Sequence, residues 1–371
     1  MRRFVLLVAG LALLAGFAAT VSGGATQAET RWVITDLGTL GGVWSVPAGW
    51  THESKTGLYV GSKPPWGRPI NERGQIIGTT CAQTCGWAFL WQNGKMRNIG
   101  AFEAVAINDH SQVVGGDGSH AFVWKDGALK KLPSLGKRSF AFDINERGQI
   151  VGWSGGNWRR AVLWEKGKAI ALPPLRSARR SEARAINERG QIVGTSGDHA
   201  VRWENGEVTD LGTLRGGYAS EARAINERGQ IIGHSWNPMR AVLWQGRAAT
   251  RLSSTRSFAY AINESGQVVG ETDIFSAFLW QSGKMLKLGA GIAFDINERG
   301  QVVGATGGKN MHAALWENGK LTGLGALPGW EESGAVAISA SGQIVGWSSL
   351  PSSVLLPGEE TVHAVLWTLK R

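Results

Sequence analysis

One phrase constrains this 371-residue chain more than any other feature. A stretch of the form Ile-Asn-x-x-Gly-Gln-Ile/Val-Ile/Val-Gly recurs eight times, beginning at Ile70, Ile107, Ile144, Ile186, Ile225, Ile262, Ile296 and Ile338. The copies are spaced by about 38 residues, close to the roughly 40 residues of one unit in radially repeated β architectures. A fold that repeats at this period buries its faces by stacking unit on unit, so the whole chain must be read as one array.

Two further phrases fill each unit. An Ala-x-x-Trp phrase ends at Trp91, Trp124, Trp164, Trp203, Trp244, Trp280, Trp316 and Trp367, which uses eight of the 18 tryptophans. A Leu-Gly-x-Leu phrase follows, as at Asp210–Leu214, Lys287–Ala290 and Gly323–Leu327, with a looser form at Lys131–Leu135. Together the phrases give four short strands per unit. Ala183–Asn187, with alternating small and apolar residues, suits a crowded innermost strand. Asn187-Glu188-Arg189-Gly190 fits a tight turn in which Asn caps the backbone and Gly takes a positive φ. Asn-Gly, Asp-Gly and Lys-Gly pairs at Asn93, Asp126, Lys166, Asn205 and Asn318 mark a second hairpin between the third and fourth strands.

No 3.6-residue helical pattern appears, and four antiparallel strands repeated eight times predict an all-β chain: an eight-bladed β-propeller. Ile34–Leu40 nearly copies Val208–Leu214, so the array begins with a fourth strand and ends, at Trp367, with a third. The N-terminal strand is therefore expected to complete the last blade and hide both free edges. Pro69 interrupts the first strand of the first repeat, which leaves open eight regular blades or seven and a degenerate one.

At these residues the chain resembles the HAF-repeat family of probable extracellular repeat proteins. His120-Ala121-Phe122, His199-Ala200, His312-Ala313 and His363-Ala364 match its strand starts, with Trp87, Arg160, Arg240 and Ser276 replacing the histidine elsewhere. The resemblance spans about Ile34 to Trp367 and implies an exported repeat protein. It carries over no activity, substrate or catalytic residue.

The chain opens with Arg2 and Arg3, an apolar run from Phe4 to Val21, and small residues up to Ala28. That is the pattern of a secretory signal over residues 1–28, with 29–371 as a single propeller domain and 41–68 as an insertion on its variable face. Its destination is secretion or the periplasm, and no membrane span is expected once the signal is removed. In that oxidising setting Cys81 and Cys85, the two cysteines, read as a local disulfide. One C-x3-C supplies too few ligands for a metal, and no cofactor is indicated. The net charge of +10 is spread diffusely, many arginines sitting beside glutamates in the repeated turns, so no nucleic-acid stripe forms.

The turns of one rim are nearly identical from unit to unit, whereas the loops of the other vary, and function is expected on the variable loops. The tryptophans outside the repeat phrase gather there: Trp44, Trp50, Trp66, Trp87, Trp153, Trp158, Trp236, Trp330 and Trp347. These rings either plug the propeller mouth or bind a ligand. Tryptophan beside Arg or Asn suits stacking on a sugar or anchoring of a protein, the ring supplying area and the polar group direction. The candidate ligand-binding residues are Trp153, Trp158, Arg160, Trp236, Arg240 and Trp330. The reading is of a monomeric, non-catalytic scaffold whose partner is a glycan or an envelope protein.

The alternative is a hydrolase or lyase acting on a polysaccharide at the propeller mouth. Asp143 and Asp295, which replace the usual alanine before Ile-Asn, are its candidate carboxylates. They belong to the third and seventh repeats and so fall across the ring, whereas paired carboxylates of glycosidases stand about 5–9.5 Å apart. Their simpler role is hydrogen bonding to nearby backbone. No Gly-x-Ser-x-Gly, Walker or His-Glu-x-x-His phrase occurs.

Overall fold

The computed structural model describes residues 32–41, 44–48, 67–81, 85–100, 103–176, 178–273, 275–307, 310–350 and 362–370, with the side chains of residues 44, 81, 85 and 86 left aside. Among the described residues there are strands and no helix, so none is long and apolar enough to cross a membrane. The fold is a propeller-like array of four-stranded antiparallel meanders.

The fourth repeat shows why the sequence folds this way. Its strands are Ser181–Ile186, Ile192–Ser196, His199–Glu204 and Glu207–Asp210, paired in that order. In the first hairpin Asn187 Oδ1 accepts the Gln191 amide at 2.9 Å, and Gly190 takes φ +80°. In the last, Asn205 and Gly206 sit at φ +53° and +81°, the two positive values that a type I′ turn needs. The glycine ending the repeated phrase is set by a close approach: a Cβ at Gly194 would lie 2.0 Å from the Glu182 carbonyl oxygen. The inner strands of the second to eighth repeats each bulge once at an equivalent place, here between Ala183 and Ala185.

Three other sheets repeat this meander, at 103–131, 138–171 and 219–251. Two larger sheets each join two meanders. In one, the 13-residue strand Lys284–Ile296 is the outer strand of the sixth repeat and the inner strand of the seventh. In the other, the strand Trp44–Pro47 meets Val362–Leu369 through one parallel pair, Trp44 with Val362.

Cohesion between neighbouring repeats is apolar first. Val151, Ala161 and Leu172 of the third repeat pack against Ala183, Ile186, Ile192, Val201 and Trp203 of the fourth. Trp203 is 1% exposed, and its indole N–H donates to the Pro173 carbonyl at 2.7 Å. A buried indole of this size covers about 150–250 Å² and stabilises by up to about 4–6 kcal/mol from its apolar area.

Three polar links, periodic but not anticipated in the sequence, accompany that packing. Ser181 Oγ accepts the Ala161 amide of the repeat before it at 2.9 Å, and Ser139, Ser220, Ser257 and Ser333 do the same for Ala121, Ala200, Ala241 and Ala313. Asn187 Nδ2 donates to the Asn226 carbonyl of the next repeat at 3.1 Å, a step taken from Asn71 onward as far as the Asn297 donation to Ser339. The acidic residue of the first seven repeated turns, Asp109 in the second and glutamate in the others, accepts the backbone amide of the turn before it, as Glu188 does for Glu146 at 2.8 Å and Glu72 for Ala340 of the eighth turn. These carboxylates therefore satisfy backbone donors rather than neutralising the adjacent arginines.

The two ends of the array meet. Trp32–Asp36 pairs antiparallel with Val362–Leu369 from Trp32 opposite Leu369 to Asp36 opposite Val365. Ala340 N donates to Glu72 Oε1 at 2.9 Å. Leu37, Ala337, Val345 and Leu366 share a core with Ile70, Ile76, Phe89 and Trp91.

The inner strand of the first repeat differs from the sequence expectation. Trp44–Pro47 pairs with Ile76–Cys81 and takes that place, and Ser45 Oγ accepts the Ala364 amide at 2.9 Å as the other serines do for their neighbours. Pro69 lies beyond this stretch, where its carbonyl accepts the Ile77 amide at 2.9 Å and its missing N–H costs nothing. The added sequence thus falls between Ala48 and Gly67, within the inner strand at the position of the recurrent bulge; residues 49–66 are outside the described ones.

Candidate functional site

A cavity of about 910 Å³ is a cleft on the variable loops of the third repeat and the connection that follows it. Gly155-Gly156-Asn157-Trp158 and Arg160 form one wall; Leu172, Pro173, Pro174, Ala178 and Arg179 form the other. Loop chemistry explains the opening. Gly155 is the last paired residue of the second strand, the loop 156–158 follows it, and Pro173 and Pro174, which have no N–H to donate, follow the outer strand Lys168–Ala171. Leu135 closes the cleft from the preceding connection, its amide donating to Ser154 Oγ at 2.8 Å.

Trp158 is 44% exposed in this cleft and Leu135 42%, so two large apolar side chains face the same opening. The Arg180 and Arg179 guanidinium carbons stand 5.1 and 5.7 Å from the Trp158 ring centre, within cation–π range. Arg159 is committed elsewhere: it contacts Glu182 at 2.6 Å and lies 4.4 Å from the Trp153 ring centre. No aspartate or glutamate lines the cleft among the described residues.

The equivalent place in the fifth repeat holds a pocket of about 300 Å³ lined by Arg215, Asn237, Pro238, Arg240 and Arg251. Arg240 donates to the Met239 carbonyl at 2.9 Å, which fixes it against its own loop. Trp236 does not line this pocket; it packs edge-on to the buried His234, ring centres 6.4 Å apart. Trp330 lies over the core around Trp367 and 4.9 Å from the His363 ring. The six candidate residues are therefore not one site. Trp158 and Arg160 share the large cleft, Arg240 lines a separate pocket, and Trp153, Trp236 and Trp330 pack against neighbouring side chains.

Of the other loop tryptophans, Trp347 is 5% exposed and belongs to a core with Phe294 and Val336. Trp87 is exposed, and Trp50 and Trp66, like the side chain of Trp44, are outside the described residues. Cys81 and Cys85 stand opposite each other in strand register, but their side chains are also outside the described set.

The inner strands line a central cavity of about 390 Å³ that contains both Asp143 and Asp295. Asp143 pairs with Arg68 at 3.2 Å and accepts the amides of Ile144 and Ile186 at 2.9 and 3.0 Å. Asp295 accepts those of Ile296 and Ile338, both at 2.9 Å, so each aspartate clamps its own repeat to the next. Burial pushes the Asp295 carboxyl up to about 6, the two amides pulling the other way. Nearby, the Tyr260 hydroxyl donates to Glu271, whose carboxyl burial also raises. Both aspartates lie in one cavity, yet their oxygens are occupied by backbone amides. No cluster of three or more metal-ligating side chains occurs among the described residues.

No family model matches the chain, and no curated protein does. Among solved structures, a streptogramin B lyase is similar at 9% identity and TM-score 0.48, over 92% of this chain and 98% of that one. A puromycin-hydrolysing peptidase from Mycobacterium tuberculosis is similar at 12% identity and TM-score 0.46, over 75% and 56%. AztD from Citrobacter koseri, in its apo form, is similar at 8% identity and TM-score 0.46, over 79% and 94%.

Proposed function

We propose that this chain is an exported, monomeric binding scaffold, an eight-bladed β-propeller closed by its N-terminal strand, which holds a glycan in the cleft between the third and fourth repeats. The antiparallel pairing of Trp32–Asp36 with Val362–Leu369 and the Ala340–Glu72 hydrogen bond support closure. The Arg2–Ala28 segment supports export, and a disulfide between Cys81 and Cys85 would follow from it.

One observation carries the binding reading: Trp158 is held half-exposed in a cleft of about 910 Å³ beside arginines that make no ion pair among the described residues. A flat ring kept in water at that cost suits the apolar face of a sugar, with guanidinium donors supplying direction. The hydrolase or lyase reading is second, because Asp143 and Asp295 already spend their oxygens on backbone amides.

The test is a glycan array probed with purified protein and with its Trp158→Ala variant. Binding that the variant loses supports the reading; binding that the variant retains in full contradicts it.

A further inference from the structure

We infer that the ligand of this cleft is an anionic polysaccharide, one bearing carboxylate or sulfate groups on its sugar rings. The inference rests on the glycan reading above and adds the charge of the ligand.

Arg160, Arg176, Arg179 and Arg180 are exposed and make no ion pair among the described residues, whereas Arg159, their neighbour, is matched by Glu182. Arg160 and Arg179 line the cleft itself, and Arg179 and Arg180 both stand over the Trp158 ring.

Placing like charges side by side raises the energy of the empty cleft, since each feels the field of the others across a partly apolar wall. Other arginines of the chain are matched by an acid: Arg184 contacts Glu182 at 2.7 Å, Arg202 meets Glu204 at 3.3 Å, and Arg223 meets Glu221 at 3.5 Å. The cleft leaves its positive field uncompensated beside an exposed ring, and an anion is the group that would compensate it. Guanidinium is also suited to the task, since its planar fork matches carboxylate and sulfate oxygens two at a time.

The shape of the cleft selects a polymer with apolar ring faces over a bare anion. Trp158, Leu135, Pro173 and Pro174 give the cleft apolar patches, and Arg160 and Arg179 lie beside them. A charged sugar chain offers both features in alternation: ring faces for the indole and an acid group for the guanidinium.

The experiment uses two matched pairs of soluble polymers, polygalacturonate with its carboxyl-reduced form and dextran sulfate with dextran, titrated by calorimetry into the full protein. The expected result is binding of the acidic member of at least one pair at least about tenfold tighter than its neutral mate, weakened several-fold between 50 and 300 mM NaCl as screening predicts. Which pair discriminates separates carboxylate from sulfate recognition. A triple variant, Arg160→Gln, Arg179→Gln and Arg180→Gln, is expected to bind the acidic polymer no better than the neutral one while unfolding at the wild-type temperature. Equal affinity for both members of each pair, lost in Trp158→Ala, would overturn the charge inference and leave the glycan reading standing. Failure of all four polymers to bind, or acidic binding unchanged in both variants, would overturn the two together.

Discussion

His363 Nδ1 lies 2.8 Å from Asp36 Oδ2, although 327 residues separate them in the chain. The same pairing occurs inside the fourth repeat, where His199 Nδ1 is 2.9 Å from Asp210 Oδ2. The N-terminal strand thus reproduces, across the chain ends, a contact that a third and an outer strand make within one unit. Asp36 is largely exposed, so the ion pair itself contributes little, about 0–1 kcal/mol. The backbone pairing and the core around Leu37 matter more. A chain lacking residues 1–40 should therefore unfold at lower urea and associate through the bared Val362–Leu369 edge. Light scattering and urea titration check this, with Asp36→Ala expected to stay close to wild type.

Trp203 and Trp158 should separate stability from binding. Trp203→Ala removes a fully buried ring and its hydrogen bond to Pro173, and is expected to cost about 3–5 kcal/mol. Trp158→Ala removes a half-exposed ring and should cost under about 1 kcal/mol. Chemical denaturation of both variants reads the difference directly.

The Asn187 side chain makes one hydrogen bond outside its own turn, to the Asn226 carbonyl, and caps Gln191 within it. Asn187→Ala leaves the buried Gln191 amide unpaired and removes one of the two donors to the Asn226 carbonyl, which keeps the Gly229 amide, and is expected to destabilise by about 1–3 kcal/mol. The eighth repeat, where Ser339 replaces the asparagine and Ser339 Oγ accepts the Gln343 amide at 3.1 Å, shows which half a hydroxyl can supply. Asn187→Ser should accordingly recover part of the loss in the same assay.

His234 gives the fold a sensitivity to acid. It is 1% exposed and its Nε2 accepts the Ala259 amide at 3.2 Å, so the ring is held neutral; burial, reinforced by Arg223, keeps its pKa well below the ordinary 6.5. A histidine depressed in this way contributes stability that is present above the unfolded value and lost as pH falls below about 6.5. Unfolding free energies measured between pH 7.5 and 5 should decline for the wild type. His234→Gln, which keeps an acceptor without a titrating ring, should decline less; parallel slopes would assign the acid sensitivity elsewhere.

Much of the fold was legible because it repeats. The Asn-Gly turns, the Ala-x-x-Trp strands and the copy of Val208–Leu214 at Ile34–Leu40 each carry local chemistry that survives in any context. The inner strand of the first repeat was harder: its two halves, Ser45–Ala48 and Arg68–Ile70, are separated in sequence, and the short first half carries Ser45 as its main mark. Of the site, Trp158 and Arg160 were visible as an irregular loop, but Pro173, Pro174 and Arg179 complete the cleft from the following connection, and only packing of one repeat on the next brings the two loops together. Tryptophan in a loop was a weaker signal, since Trp347 is core and Trp236 leans on His234.

The most direct test is oxidative footprinting of tryptophan with and without a saturating acidic polysaccharide. Trp158 and Trp87 are almost equally exposed, at 44% and 45%, and Trp87 stands outside the cleft, so one chain carries both probe and control. Ligand at the cleft predicts several-fold protection of Trp158 with Trp87 unchanged. Equal protection of both rings, or none at Trp158, would contradict the account.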